Sequence, residues 1–404
     1  MRIALLAAGS RGDYEPVVAV GRGLRARGHE VGVTATREFL GLVEEAGLTP
    51  EPVDVDAMAY YRDQLAARGM PTDLPGQLRM LRGLAELLAP RVRDRLEDMR
   101  SRYDGLVLTA MTAGWPALAG WPRAPRVLMM FVPALPTTWG DASMFSVVAG
   151  RSWRNLGAAV RVLPTAVRLV APDPRAALSM ATAPAFVAHS PRLVTPRRVA
   201  GRQVRVVGYP FRELPRDAAL DPGLSGWLDA GPAPVFVGLG SHTLPAVREV
   251  LAHAVDAAAD LGLRVLLQGG SGLEEELGAD VRVVGDLAHE LLFPRTAAVV
   301  HHGGAGTTAQ ALRAGRPQVV VPFTMDQPFF ARRVHELGVG PTPVPASTAS
   351  REAFRQALSA AAAPGTAARA RAEARTVAQE DGVAGAVAEI EAALGPGRST
   401  GSRG

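Results

Sequence analysis

Residues 298–327 read AVVHHGGAGTTAQALRAGRPQVVVPFTMDQ and carry the strongest fold signal in the chain. A β-branched run ends in His301-His302, a glycine-rich turn follows, and Thr307-Thr308 opens an alanine-rich segment of helical period. A second β-branched run, 318–321, leads to PFTMDQ. The pattern predicts strand, glycine turn, helix and strand, with both strands ending at the same edge of a parallel sheet.

The glycine turn suits an anionic ligand. A helix N-terminus presents unpaired backbone N–H groups and the positive end of the helix dipole, and glycines let a phosphate approach closely. We expect Gly304, Gly306 and Thr307 to donate to such a group. Asp326 and Gln327, a carboxylate next to an amide, suit a ligand with several hydroxyls. A diphosphate joined to a sugar fits both halves.

Strand and helix patterns alternate along most of the chain, which predicts an α/β protein with two doubly wound parallel sheets, each Rossmann-like. At 404 residues, two domains are expected. The Pro- and Asp-rich stretch 213–234 interrupts the pattern and is interpreted as a linker. We therefore predict domains at 1–212 and 235–380, a last helix at 381–394, and a disordered tail at 395–404.

Composition excludes several kinds of protein. The chain has no cysteine, so disulfides and thiolate chemistry are ruled out. No apolar run is long enough to span a bilayer, and the start lacks a signal-peptide pattern. We therefore expect a cytoplasmic protein without stable membrane insertion. The net charge is +5, but over the chain as a whole the arginines are interspersed with Asp and Glu, so no nucleic-acid partner is expected.

Four strings together resemble the family 1 glycosyltransferases, most closely their antibiotic (vancomycin-group-like) and sterol branch. They are GSRGDYEP at 9–16, VGYPF at 207–211, VFVGLGS at 235–241, and HHGGAGTT followed by PFTMDQ. The resemblance implies the GT-B fold, in which two Rossmann-like domains face across a cleft. It also implies that the first domain binds the acceptor and the second the nucleotide sugar, UDP- or TDP-linked.

Asp13 has two interpretations. It lies just ahead of Pro16, where an aspartate is a good helix cap, and spacing alone favours that role. The resemblance instead implies that Asp13 is the general base that takes the proton from an acceptor hydroxyl. Ser10, in the same loop, could face the donor.

On the donor side, the resemblance implies that His302 bonds a phosphate oxygen, whereas His301 is structural. Ser241 would reach the phosphates from a second loop, and Asp326 and Gln327 would bind the sugar, although Asp326 could also be only a helix cap. His289 stands in DLAHELLFP, a loop where relatives read VPH, and the resemblance implies that this loop binds the base of the donor. Gln310 departs from the ribose-binding glutamate of plant relatives.

No metal and no cofactor are expected, the nucleoside-diphosphate sugar being a substrate. An acidic pair does occur at Asp54 and Asp56, but far from the donor block, and chance explains it better. Adjacent histidines on a strand point to opposite faces and cannot easily bind one metal.

The expected activity is therefore inverting, metal-independent transfer of a sugar to a hydroxyl of a bulky apolar natural-product acceptor. One rival interpretation is a non-catalytic nucleotide-sugar-binding partner. Others are a nucleotide-sugar epimerase or a cell-wall glycosyltransferase of similar fold. A nicotinamide oxidoreductase is a further rival, but its GxGxxG motif is missing. Apolar side chains that could be core or could line an acceptor pocket are Met129, Met130, Phe131, Trp139, Met144 and Phe145.

Overall fold

A computed structural model describes residues 1–69, 74–121, 124–170, 183–199, 202–240, 245–269, 278–285 and 287–395. The chain divides into two units, Met1–Glu213 with Asp381–Gly404, and Leu214–Glu380. Each unit is an α/β layer structure on a parallel sheet. Within the described residues, no helix is long and apolar enough to cross a membrane.

The first unit is organised on an eight-stranded sheet of order β3-β2-β1-β4-β5-β6-β8-β7. All neighbours are parallel except the β7–β8 hairpin. The four-residue core of β1 is fully buried, as expected of a central strand covered on both faces. The strands are β1 Arg2–Leu6, β2 Glu30–Thr36, β3 Thr49–Val53, β4 Gly105–Leu108, β5 Arg126–Met130, β6 Ala185–Val187, β7 Arg197–Val199 and β8 Arg202–Val206.

Seven helices described in the first unit surround this sheet, and the last of them comes from the end of the chain. They are α1 Arg11–Ala26, α2 Leu40–Glu45, α3 Ala57–Arg68, α4 Leu74–Met99, α5 Trp115–Leu118, α6 Trp153–Val170 and α14 Gly382–Leu394. Helix α14 packs on α1, where a Cβ on Gly23 would lie 2.5 Å from Val383. Its Glu391 also bonds His29, at 3.0 Å. The last helix therefore belongs to the first unit.

The second unit carries a five-stranded parallel sheet of order β11-β10-β9-β12-β13. Its strands are β9 Val235–Gly238, β10 Val265–Gln268, β11 Val281–Val284, β12 Ala298–His301 and β13 Gln318–Val320. Its described helices are α7 Pro222–Asp229, α8 Pro245–Asp260, α9 His289–Leu292, α10 Ala305–Arg313, α11 Gln327–Leu337, α12 Arg351–Ala362 and α13 Pro364–Val377. Because β9 and β12 are neighbours, their following loops lie side by side.

The stretch interpreted as a linker is mostly part of the second unit. Residues 222–229 form α7, whose Asp221 caps the helix by accepting from the Leu224 N–H at 3.0 Å. Leu224 and Leu228 are buried against Phe236 of β9. An Asp-Pro start and two apolar residues four apart explain this helix. Beyond Gly395, the tail predicted to be disordered lies outside the described residues.

Candidate functional site

The glycine turn of the second unit adopts the predicted strand–turn–helix geometry. Strand β12 ends at His301, Gly303 has a φ of +91°, and Gly304 is the N-cap of α10. The Thr308 hydroxyl and N–H both donate to the Gly304 carbonyl, at 2.8 and 3.0 Å. The first-turn amides of Gly306 and Thr307 have no partner within the helix itself, as in any α-helix. The turn can therefore donate to an anion.

His301 is a structural side chain. It is fully buried, its Nδ1 accepts from the Gly303 N–H at 3.1 Å, and its Nε2 lies 2.9 Å from Gln318 Oε1. Since Nδ1 accepts, the proton resides on Nε2 and is donated to Gln318. Burial lowers the pKa of His301 to about 4, so the ring is neutral at physiological pH. The ring holds the glycine turn against β13.

His302 lies over two glycines at the edge of the sheet. A Cβ on Gly304 would fall 2.5 Å from His302 Nε2, and one on Gly240 would fall 3.4 Å from its Cε1. The ring is half-buried between the loop after β9 and the start of α10. Ser241, the next residue after Gly240, lies outside the described residues. The imidazole is thus placed beside the anion-binding turn.

Gln327 and the glycine turn are in close contact. A Cβ on Gly303 would lie 3.1 Å from the Gln327 carbonyl oxygen. The side-chain oxygen of Gln327 accepts from the N–H groups of Phe323 and Thr324, at 2.8 and 3.1 Å. This closes the PFTMDQ loop and leaves the amide NH₂ as the part of Gln327 that could donate to a ligand.

Asp326 occupies the N-cap position of α11 without capping it through its side chain. Its backbone carbonyl accepts from the Phe329 N–H at 3.0 Å, and its side chain makes no capping bond. The preceding Met325 has a φ of +59° and is 42% exposed, and it is the one non-glycine residue with a positive φ in the described chain. This backbone is strained for a side chain with a Cβ, and such strain concentrates at ligand sites.

Two further residues of this unit are packed inward. The His289 ring stacks on Phe293, with centroids 4.4 Å apart, and meets Phe236 edge-on at 5.5 Å. One face of the ring is therefore used in packing. Gln310 is 7% exposed within α10.

Asp13 is held by Ser10 at the start of α1. Its Oδ2 accepts from the Ser10 N–H at 2.8 Å and from the Ser10 hydroxyl at 3.0 Å. The helix begins at Arg11, with Ser10 as N-cap, so Asp13 is the third helical residue and Pro16 lies inside the helix. Both described bonds go to Oδ2. The other oxygen, Oδ1, has no protein partner among the described residues.

The surroundings of Asp13 favour a proton acceptor of raised basicity. Burial raises the pKa of the carboxyl, although the Ser10 hydrogen bonds oppose the shift. By accessible surface the side chain is only partly exposed, consistent with a carboxyl that is crowded yet reachable. Nearby Tyr61, which the sequence did not single out, has its pKa raised first by burial and then by the charge of Asp13.

Gly9 makes the Asp13 geometry possible. Its φ is +127°, and a Cβ there would lie 2.3 Å from Asp13 Oδ2. Tyr14, the next helical residue, is fully buried and stacks on Phe39 at 4.2 Å, and its hydroxyl accepts from the Thr36 N–H at 3.2 Å. The start of α1 is therefore fixed to β2 directly behind the carboxylate.

The acidic pair at 54 and 56 has other partners. Asp54 forms an ion pair with Arg37 at 2.5 Å, and Asp56 caps α3 by accepting from the Ala59 N–H at 2.7 Å. Among the described residues, no group of three or more His, Cys, Asp or Glu side chains could hold a metal ion.

The apolar candidates of the first unit divide into core and partly exposed groups. Met129, Met130 and Phe131 are buried, whereas Trp139, Met144 and Phe145 are half-buried. A small, mainly aliphatic cleft lies between the end of β5 and the β7–β8 hairpin, lined in part by Met130. It is lined by none of the residues around Asp13, so we do not equate it with the reaction site.

Comparisons with known proteins agree with this geometry. Residues 248–391 match the model of the erythromycin biosynthesis protein CIII-like C-terminal domain, and residues 3–96 match the glycosyltransferase family 28 N-terminal domain. The chain is 35% identical to O-mycaminosyltylonolide 6-deoxyallosyltransferase of Streptomyces fradiae, over 97% of each chain. It is 29% identical to sterol 3-beta-glucosyltransferase UGT80A2 of Arabidopsis thaliana, over 96% of this chain but only 64% of that protein.

Among solved structures, glycosyltransferase VinC in complex with dTDP superposes with a TM-score of 0.68 at 20% identity, covering 98% of this chain and 99% of that one. At that identity the likeness shows the GT-B fold alone. The full-length match to the Streptomyces enzyme, at 35% identity, shows that the two proteins share a family. This chain belongs to the family 1 glycosyltransferases of GT-B fold, in the branch that contains antibiotic and sterol glycosyltransferases that use nucleotide sugars.

Proposed function

We propose that this glycosyltransferase is inverting and metal-independent, and that it moves a sugar from a UDP- or TDP-linked donor to a hydroxyl of a bulky apolar acceptor. The observation that carries the proposal is the Asp13 carboxylate, with one oxygen held by Ser10, the other without a described partner, and a raised pKa. A full-length relative named for a 6-deoxyallosyl transfer supports a deoxysugar as one donor to test.

In the proposed reaction, Asp13 Oδ1 takes the proton from the acceptor hydroxyl as its oxygen attacks the anomeric carbon. A carbon–oxygen bond forms on one face of the sugar while the bond to the diphosphate breaks on the other, which inverts the anomeric centre. General base catalysis of this kind contributes about 10²–10⁴ in rate. The remaining acceleration comes from alignment of the two substrates and from donors placed at the developing negative charge.

The second unit would bind the leaving diphosphate. The first-turn amides of α10 and the His302 ring lie beside one another at the sheet edge, and both can donate to phosphate oxygens. The Asp326 carboxylate and the Gln327 amide follow the turn and would bond sugar hydroxyls. Ser10, Ser241 and His289 stay predictions as further donor-contacting residues.

The test is a donor panel of UDP- and TDP-sugars incubated with mixed hydrophobic aglycones, with products identified by mass spectrometry. The anomeric configuration of an isolated product is then compared with that of its donor by NMR coupling constants. We expect inversion, and equal rates before and after exhaustive chelation. A product of retained configuration would refute the inverting mechanism. Loss of activity on chelation with rescue by Mg²⁺ or Mn²⁺ would refute metal independence.

A further inference from the structure

Basic charge is concentrated in one part of the first unit. Residues 142–212 contain eleven arginines and a single acidic residue, Asp173, a net charge of +10. The whole chain carries +5, so the remainder is net negative by 5. The even mixing of charges expected from the overall composition therefore fails in this segment. Of these arginines, Arg197 pairs with Asp141 and Arg205 with Glu389, and the net excess of positive charge in the sequence favours an anionic partner.

Exposed apolar side chains occur in the same segment. Trp153 is 76% exposed, Val147 56% and Val160 55%, and these are three of the five large hydrophobic residues that stand out as exposed in the described chain. Trp153 and Val160 are seven residues apart on α6, so they share one face of the helix. Asn155, about 160° around the helix from Trp153, is buried and lies on the opposite face. The apolar face is thus turned to solvent.

Asn155 fixes the loop that precedes α6. Its Oδ1 accepts from the N–H groups of Val147 and Val148, both at 3.0 Å, and its Nδ2 donates to the carbonyls of Thr138 and Gly150, at 3.1 and 3.2 Å. Asn155 is itself 1% exposed. Four bonds from one buried side chain hold Val147 close to the start of the helix. The loop that carries Val147 is therefore anchored to the buried side of α6.

Arginines border Trp153 and Val160. Arg154 and Arg161 are also seven residues apart and follow the two apolar positions by one, and Arg151 precedes the helix. All three are exposed. No carboxylate among the described residues pairs with them, in contrast to Arg197, which bonds Asp141 in the same unit. We refer to Trp153, Val160, Arg151, Arg154 and Arg161 as the α6 face.

We propose that the α6 face binds the surface of an anionic lipid bilayer. Helices that lie in the interfacial plane of membranes typically carry arginines beside tryptophan and aliphatic side chains, and Trp prefers the level of the lipid headgroups. Nucleic acid would match the arginines but leave the exposed Trp153 and Val160 without a partner. The contact would be peripheral and reversible, and it would place the first unit at the bilayer.

The experiment is co-sedimentation of the full chain with two kinds of vesicle, phosphatidylcholine alone and an equal mixture with phosphatidylglycerol. We expect binding to the mixed vesicles only, with binding lost at high salt. The double variant Arg154→Gln with Arg161→Gln should bind about fivefold more weakly per charge removed. Trp153→Ala should weaken binding by about tenfold or more, since a large apolar surface leaves the interface.

A matched control removes the same charge elsewhere. Arg371 and Arg375 are exposed on α13 of the second unit, and their double change to Gln should leave vesicle binding unaltered. Thermal unfolding of every variant checks that the fold is intact. The proposal is wrong if the wild type ignores mixed vesicles, if the control weakens binding as much as the α6 variants do, or if duplex DNA displaces the protein from vesicles while Trp153→Ala binds normally.

Discussion

Replacing Asp13 by Asn separates its structural role from its chemical one. In the wild type, Oδ2 accepts both bonds from Ser10, and Oδ1 is the oxygen available for the acceptor proton. An Asn at this position can present its amide oxygen to Ser10 and its NH₂ where Oδ1 was. The bonds that hold the helix start are then kept, while the proton acceptor is lost.

The size of each effect follows from this geometry. Two hydrogen bonds to a charged oxygen become bonds to a neutral one, a loss of about 1 kcal/mol each. Removing a carboxylate that burial disfavours in its charged form offsets part of that loss. We therefore expect a change in unfolding free energy within about 1 kcal/mol. The rate of transfer should fall by about 10²–10⁴.

The assay compares initial rates of product formation by mass spectrometry with diphosphate affinity by calorimetry. Asp13→Asn should be nearly inactive with unchanged affinity, because the proposed diphosphate contacts lie in the other unit. Asp13→Ala, which loses both Ser10 bonds, is the control for capping and should cost about 0.5–2 kcal/mol of stability. Wild-type rates in a folded Asn variant would show that the base is another residue. An unfolded Asn variant would show that Asp13 mainly holds the helix.

Three further predictions concern the second unit. His302→Ala should weaken diphosphate binding by about 10–100-fold through loss of a hydrogen bond to a charged group, and unchanged affinity by calorimetry would contradict the assignment. His301 has a folded pKa of about 4 against an ordinary 6.5, so the unfolded state binds the extra proton between those values. The unfolding free energy should therefore fall as pH drops through that window, by up to about 3 kcal/mol. Denaturant titrations at several pH values check this, and an equal pH dependence in a His301→Gln variant would disprove this origin. The unfolding free energy of Met325→Gly should stay within about 1 kcal/mol of wild type, because relief of the left-handed backbone offsets the added entropy of the unfolded chain. Met325→Val should unfold at a lower temperature than either, and a Val variant more stable than the Gly variant would refute backbone strain.

The strand–turn–helix of the proposed donor site could be predicted from sequence because its determinants are local. Strand β12, the turn at Gly303 and Gly304, and helix α10 follow one another without a gap, so periodicity and glycine spacing suffice. A capping role for Asp13 implies a helix that starts at Pro16, its first-turn proline, and that start is five residues late. The helix instead begins at Arg11, with the Ser10–Asp13 bonds stabilising its first turn.

Features that depend on distant parts of the chain could not be predicted. Helix α6 does not follow from the sequence, since Pro164 and Gly157 interrupt its apolar period. Glu51, buried at 1% exposure, is bonded at 2.6 Å by Arg102 and at 2.5 Å by the hydroxyl of Tyr103, partners about fifty residues away. Pairings of this kind are set by the tertiary fold, so spacing along the chain gives no sign of them.

The glycines that carry the family resemblance share one physical task. A Cβ at Gly9 would lie 2.3 Å from the Asp13 carboxylate, and one at Gly304 would lie 2.5 Å from the His302 ring. Each glycine therefore lies directly against a side chain proposed to act in the reaction. At Gly9 and Gly303 the backbone also takes a positive φ, which only glycine adopts without cost. The glycine-containing motifs are recognisable because each proposed side chain needs a neighbouring residue with no side chain. The sequence therefore shows the packing requirement of the site next to the residues proposed to react.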